Sequence, residues 1–160
     1  MLEGLECWNV GADQAPPPFF CSASAEFGLA GSHRVANCPF MMPYERLEAW
    51  QACHQLFLET YRVTQSFPKA ELYGLTSQMR RAAFSAAANI AEGTAKRGPR
   101  ELRRFLDTAL GSLSEMSYAI LAVRDLALVS DNDWKRLDEL RRKAGKLTWG
   151  LYRHVRRASE

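Results

Sequence analysis

The feature that most constrains this chain is a run of nine apolar residues at heptad-like spacing: Leu102, Phe105, Leu106, Ala109, Leu113, Met116, Ile120, Val123 and Ala127. Recurrence every three or four positions places side chains on one face of a helix, whereas a strand would need a period of two. A long amphipathic helix is therefore predicted, beginning around Pro99 after Gly98. Gly111 falls inside it, where glycine costs about 1 kcal/mol relative to alanine. Close packing by a neighbouring helix is the predicted compensation.

Three further segments share this period. Pro43 in a first turn, with Glu45 close behind, opens a predicted helix that reaches about Phe67 and stops at Pro68. Its inward positions form two rows. One holds Ala49, Cys53, Leu56, Thr60, Val63 and Phe67; the other, about 100° around the helix, holds Trp50, His54, Phe57 and Tyr61. That arc is wider than one bundle core needs, which predicts either deep burial or a second contact with another subunit. A second helix is predicted from after Gly74 to near Gly93, with Thr76 as N-cap and Leu75 and Met79 packing across it. Its Ala82, Ala83, Ala86, Ala87 and Ala88 form a small-residue surface that lets a neighbour come close. A last helix is announced by Ser130 with Asp133 three residues on, a capping-box pattern, and keeps Trp134, Leu137, Leu140, Ala144, Leu147, Leu151 and Val155 on one stripe. Four helices with short connections and no alternating strand pattern predict an all-α, antiparallel up-down four-helix bundle over residues 41–160.

Residues 1–40 read differently. Pro16, Pro17 and Pro18, scattered Gly and Ser, and the lack of any sustained period leave no face to bury, so disorder is predicted. Met41 and Met42 stand where periodicity begins, which also fits a native start there and a mis-annotated extension upstream. Charge divides at the same place. Glu3, Glu6, Asp13 and Glu26 against Arg34 give the first 40 residues −3, so the chain total of +3 conceals +6 in the remainder. Such an excess favours a polyanionic partner. Cys7, Cys21, Cys38 and Cys53 form no CxxC pair, no signal-peptide pattern opens the chain, and no apolar run is long enough to span a bilayer. The expectation is a cytoplasmic protein without a disulfide framework or membrane contact.

The common catalytic signatures do not occur: there is no Gly-rich phosphate loop, GxSxG or HExxH. His33, His54 and His154 have no second ligand at helical spacing, so no metal or cofactor is expected. Glu92 and Glu115 could face one another across two helices, as acid-base pairs do; the structural alternative joins them with Arg80, Arg81, Arg104 or Asn89 in a polar network. Basic residues carry the remaining signal. From Lys135 to Glu160 nine Lys or Arg stand against three acids. Arg142, Lys146, Trp149, Arg153 and Arg157 share one helical row away from the apolar stripe, joining charge to an aromatic ring as nucleic-acid surfaces do. Lys96, Arg97, Arg100, Arg103 and Arg104 form a second cluster. Both clusters also fit simple solvated faces with snorkelling stems.

Two stretches, FPKAELYGLTSQMRRAAFSAAANIAEG and ELRRFLDTALGSLSE, bring a family into view. Pro68, Glu71, Tyr73, Gly74 and Leu75, then Gln78, Arg80 and Arg81, then Asn89 to Gly93, and finally Gly111, Ser112, Leu113 and Glu115 carry the likeness. The chain closely resembles, over roughly residues 44–155, the bacterial four-helix-bundle proteins first noted as reading frames in intervening sequences of 23S ribosomal RNA genes. Their superfamily includes accessory variability determinant proteins of diversity-generating retroelements. The resemblance implies an up-down bundle assembling as a homopentamer, a nucleic-acid ligand and, in the retroelement branch, a reverse-transcriptase partner. Ala86 and Ala87 depart from the Ile-Pro of many relatives, which removes any bend that the proline makes. The combined expectation is a non-enzymatic oligomeric protein that binds RNA or DNA backbones through Lys96, Arg97, Arg100, Arg103, Arg142, Lys146, Trp149, Arg153 and Arg157. The alternative is a structural or protein-partner adaptor, such as a reverse-transcriptase accessory subunit, with no direct nucleic-acid contact.

Overall fold

The structure, a computed structural model, describes residues 42–158. The expected disordered or mis-annotated segment 1–40 lies outside the described residues. Four helices follow in order: α1 Glu48–Thr64, α2 Leu75–Thr94, α3 Pro99–Asp125 and α4 Asp131–Ala158. Short 3-10 turns at Pro43–Arg46 and Lys69–Glu71 complete the secondary structure, and there is no strand among the described residues. Each helix packs on its neighbours in sequence, α1 and α4 close the ring, and neither diagonal pair meets. The bundle is therefore up-down and antiparallel.

The closest seam is between α2 and α3. Ala82, Ala83, Ala86 and Ala87 are buried on α2 in a core that also holds Leu106, Ala109, Leu113 and Met116 of α3 with Leu56, Met79, Ile90, Ile120 and Leu137. At Gly93 the approach is so tight that a Cβ would lie 2.8 Å from the Cβ of Phe105 and 2.9 Å from Leu102 Cδ1. Small residues are thus what sets the α2–α3 spacing. The turn between these helices passes through Gly98 at φ +86°, a left-handed conformation that glycine adopts without penalty, and Pro99 then starts α3 with its φ already fixed.

Helix boundaries depart from expectation in four places, each with a local cause. The predicted first helix is broken: Pro43–Arg46 is a 3-10 turn tied by Glu45 N–H to Met42 C=O (3.0 Å) and Met42 N–H to the Glu45 carboxylate (3.1 Å), and Leu47 is extended. Its other end stops at Thr64 rather than Phe67, where the Thr64 and Ser66 hydroxyls bond back to Thr60 and Val63 carbonyls and compete with the helix ladder. Gly74, not Thr76, is the N-cap of α2. Glu71 Oε2 accepts the Leu75 N–H at 3.2 Å, and Thr76 sits inside the first turn with its buried hydroxyl unpaired among the described residues. Ala127 is not on the α3 face. It follows the helix end at φ 54°, while Leu128 N–H reaches back to Val123 C=O at 2.9 Å in a Schellman-type cap. Gly111 also differs from expectation: nothing lies within 4 Å of where its Cβ would be, because it faces outward. At the start of α4, Ser130 Oγ both accepts the Asp133 N–H (3.2 Å) and donates to the Asp133 carboxylate (2.8 Å), so the predicted cap forms through one hydroxyl.

An ion cluster closes the α1–α4 seam. The buried Glu59 carboxylate takes Arg62 from its own helix at 2.7 Å and Arg136 from α4 at 2.8 Å, and Arg62 also reaches Asp133. One cation from each of two helices compensates this buried charge. Hydrogen bonding from Arg62 and then Ser130 holds the Asp133 carboxyl below its ordinary 3.8. Burial pushes Asp138 up, but Arg141 and Arg142 outweigh it and hold that carboxyl below 3.8 as well.

Two expectations follow from these contacts. Ala127→Gly should stabilise the protein by about 1 kcal/mol by relieving the left-handed alanine, and Gly93→Ala should destabilise it by about 1–2 kcal/mol through overpacking, both read from urea midpoints. Because the folded Asp133 value is depressed, its contribution is present above pH about 3.8 and is lost as pH falls through the lower folded value. The urea midpoint should therefore drop on acidification below pH about 4, and the gap between the parent protein and Asp133→Asn should narrow over the same range.

Candidate nucleic-acid interface

From Leu140 to Ala158 α4 contains seven Arg or Lys and no Asp or Glu. The predicted row is real in space: Arg142, Lys146, Trp149, Arg153 and Arg157 are all exposed, on the side opposite the buried Leu137, Ala144, Thr148 and Val155. Over fifteen residues this row runs about 22 Å along the helix at about 1.5 Å per residue. Its members are not equally free. Arg142 is tied to Asp138 at 2.7 Å, and Lys146 lines a groove with Glu48 and Gln51 of α1. Arg153 and Arg157 form no ion pair with another described residue.

The second cluster surrounds the α2–α3 turn. Lys96 pairs with Glu92 at 3.1 Å and sits 5.4 Å from the centre of the Phe105 ring. Arg104 is 3.9 Å from Glu101. Arg97 and Arg100 are exposed and Arg103 is half-buried, none of them in an ion pair with a described residue.

Topology places these two clusters at the same end of the bundle. In an up-down bundle the start of α3 and the end of α4 lie at the same end, along with the α2–α3 turn. The register confirms it: the Arg124 guanidinium lies 5.0 Å from the centre of the Trp134 ring. Five turns of about 3.6 residues carry Trp134 to Tyr152 and, in the opposite sense, Arg124 to Leu106. Arg153 and Arg157 are therefore level with the segment Arg100–Arg104, although some fifty positions separate them in the chain.

The other candidates are dispersed. Arg81 reaches Glu115 at 3.4 Å and Gly93 abuts Phe105, so Glu92 lies level with Phe105, ten residues or about 15 Å along α3 from Glu115. The two carboxylates are not brought together, and each has its own cation. The expected polar network likewise divides into local contacts. Arg80 donates through Nε to Thr64 Oγ1 at 2.8 Å and lies over the Tyr61 ring, while Asn89 Nδ2 donates to the Ser85 carbonyl at 2.8 Å and Ser85 meets Ser112 across the α2–α3 seam at 2.8 Å. No three His, Cys, Asp or Glu among the described residues are placed to hold a metal. Burial pushes the Cys53 thiol up to about 11, against a smaller lowering by the Thr148 hydroxyl, so it stays protonated at neutral pH.

Two aromatic features escaped residue-by-residue reading. The second row of α1 is a surface ladder: Trp50 stacks on His54 and His54 on Phe57, while Tyr44 of the preceding turn meets Trp50, Tyr61 meets Phe57, and Phe84 of α2 meets Phe57 at tilted angles. Deep burial is thereby excluded for this row, since Trp50, His54 and Phe57 are half-buried and Tyr61 is exposed. On α4, Trp149 stacks on Tyr152 with ring centres 5.4 Å apart and planes 14° from parallel. The three-residue spacing of Trp149 and Tyr152 was the available signal.

If Arg153 and Arg157 are surface charges and not parts of the packing, reversing both should cost no more than about 1 kcal/mol, the size of the lost interaction with the α4 C-terminal dipole. Urea unfolding of Arg153→Glu with Arg157→Glu checks this.

No helix among the described residues is long and apolar enough to cross a membrane. Comparison with curated proteins finds no match. The family model described as 23S rRNA-intervening sequence protein matches residues 45–150, which takes in α1, α2, α3 and α4 as far as Gly150 and leaves Arg153 and Arg157 beyond it. Matched over about two thirds of its length, the chain belongs to the 23S rRNA-intervening sequence protein family.

Proposed function

We propose that the protein is a non-enzymatic, oligomeric nucleic-acid-binding module that grips the phosphate backbone with the basic end of its bundle. The observation that supports this reading is that Arg100, Arg103, Arg153 and Arg157 lie at about one level of the α3–α4 pair, at the same end of the bundle, on segments remote in sequence. An acid-free stretch of α4 continues that surface along the helix. Cations without carboxylate partners keep their counterion-releasing capacity for a polyanion, whereas paired ones such as Arg142 and Lys96 contribute less. A single bundle offers few such contacts. Repetition in an oligomer, with the homopentamer as the form that the resemblance implies, multiplies them through avidity.

A second reading, an adaptor for a protein partner such as a reverse transcriptase, is favoured by a different surface. Leu58, Tyr61, Tyr73 and Phe84 are exposed on α1, α2 and their connection, Tyr73 at 90%. Clustered exposed aromatics mark protein contacts more often than solvated faces.

Fluorescence anisotropy of the full chain with short RNA and DNA across a salt series separates the two. Affinity should fall steeply with salt, and Arg153→Glu with Arg157→Glu should lower the magnitude of the log–log slope by about 2, one unit per lost phosphate contact. Absence of binding at low salt, together with capture of a protein partner that Phe84→Ala abolishes, supports the adaptor instead.

A further inference from the structure

We infer that Trp149 is a base-stacking platform and that the nucleic acid recognised by this surface is single-stranded. The inference rests on the nucleic-acid reading above and narrows it to a strand with unpaired bases.

The two tryptophans described in α4 are treated differently by the fold. Trp134 is half-buried beneath the Arg124 guanidinium, so one face of its ring is already used by a cation. Trp149 is 50% exposed and no described cation covers it. Its only ring neighbour among the described residues is Tyr152, nearly parallel at 5.4 Å, which backs the indole without enclosing it. Charge surrounds the platform on the lines a backbone would follow. Lys146 lies about one turn before it and Arg153 about one turn after it on the same outward face. Tyr152 shares the α3-facing line of Trp134 and is level with Leu106, so Arg103 lies on the neighbouring helix about one turn beyond that level, towards the basic end of the bundle.

A half-exposed indole flanked by cations at one-turn spacing matches how unpaired strands are held: phosphates on the cations and a base on the ring. Duplex bases are already stacked on one another and offer the indole no free face. Every base has a π-face, so the site would tolerate any sequence. The α1 ladder differs, because Trp50 is half-buried between two rings, stacked in parallel on His54 and in tilted contact with Tyr44.

The test compares the affinity of the full chain for a base-bearing single strand with that for an abasic strand of equal phosphate number, in RNA and DNA forms. The parent protein should prefer the base-bearing strand by about 5- to 150-fold, the range expected for one stacked base. Trp149→Ala should bring that ratio towards one, and Trp149→Phe should preserve most of it. A parent ratio near one, or a ratio unchanged in Trp149→Ala, overturns the stacking site while leaving backbone binding intact. A change in molar mass in Trp149→Ala would assign the ring to a subunit contact and overturn it as well. If neither strand binds at low salt, the nucleic-acid reading itself falls, and the inference with it.

Discussion

The close approach of α2 to α3 is the contact on which the remaining geometry depends. Small residues on α2, Gly93 above all, let Phe105 and Leu102 of α3 come directly against its backbone. That packing fixes the register of α3 against α2, and through the Leu106 to Val123 face it fixes where α4 must lie. With a larger residue at position 93 the Phe105 backbone would have to move, and the turn carrying Lys96, Arg97 and Arg100 would move with it. The placement of the basic end is in this sense a packing result before it is an electrostatic one. Interiors at crystalline density transmit such shifts and do not absorb them.

At the opposite end the bundle is held by charge. Glu59, Arg62, Arg136, Asp133 and Ser130 join the top of α1 to the first turns of α4, and Arg124 on Trp134 joins α3 to the same turns. The two ends are therefore chemically unlike: one gathers Glu59, Arg62, Asp133 and Arg136 into a closed ion cluster, the other leaves Arg97, Arg100, Arg153 and Arg157 without acidic partners among the described residues. A polyanion arriving at the basic end meets unspent positive charge.

Helix number, order and core faces were readable from the sequence because a 3.6-residue apolar period is a direct statement of burial. Val123 and Leu113 lie where the heptad run put them. Ala127 does not, since apolar spacing carries no information about a chain reversal that needs a left-handed residue. The chemistry of Thr76 suits a cap, but Glu71, arriving from the 3-10 turn before Gly74, takes the first free N–H of α2, and only the folded connection shows that. The outward row of α4 followed from periodicity alone. Its alignment with Arg100 and Arg103 did not, because it depends on the α3–α4 register. The stacking of Trp149 on Tyr152 likewise needed ring planes that spacing cannot give.

On the proposed function the basic end, and not the aromatic face of α1 and α2, meets the ligand. Ultraviolet cross-linking of the full chain to a short single-stranded oligonucleotide, with the adducts located by mass spectrometry, tests it directly. Adducts confined to the segments from Lys96 to Arg104 and from Arg142 to Arg157 are the predicted result. Adducts concentrated at Tyr61, Tyr73 or Phe84, with those segments unmodified, would contradict it.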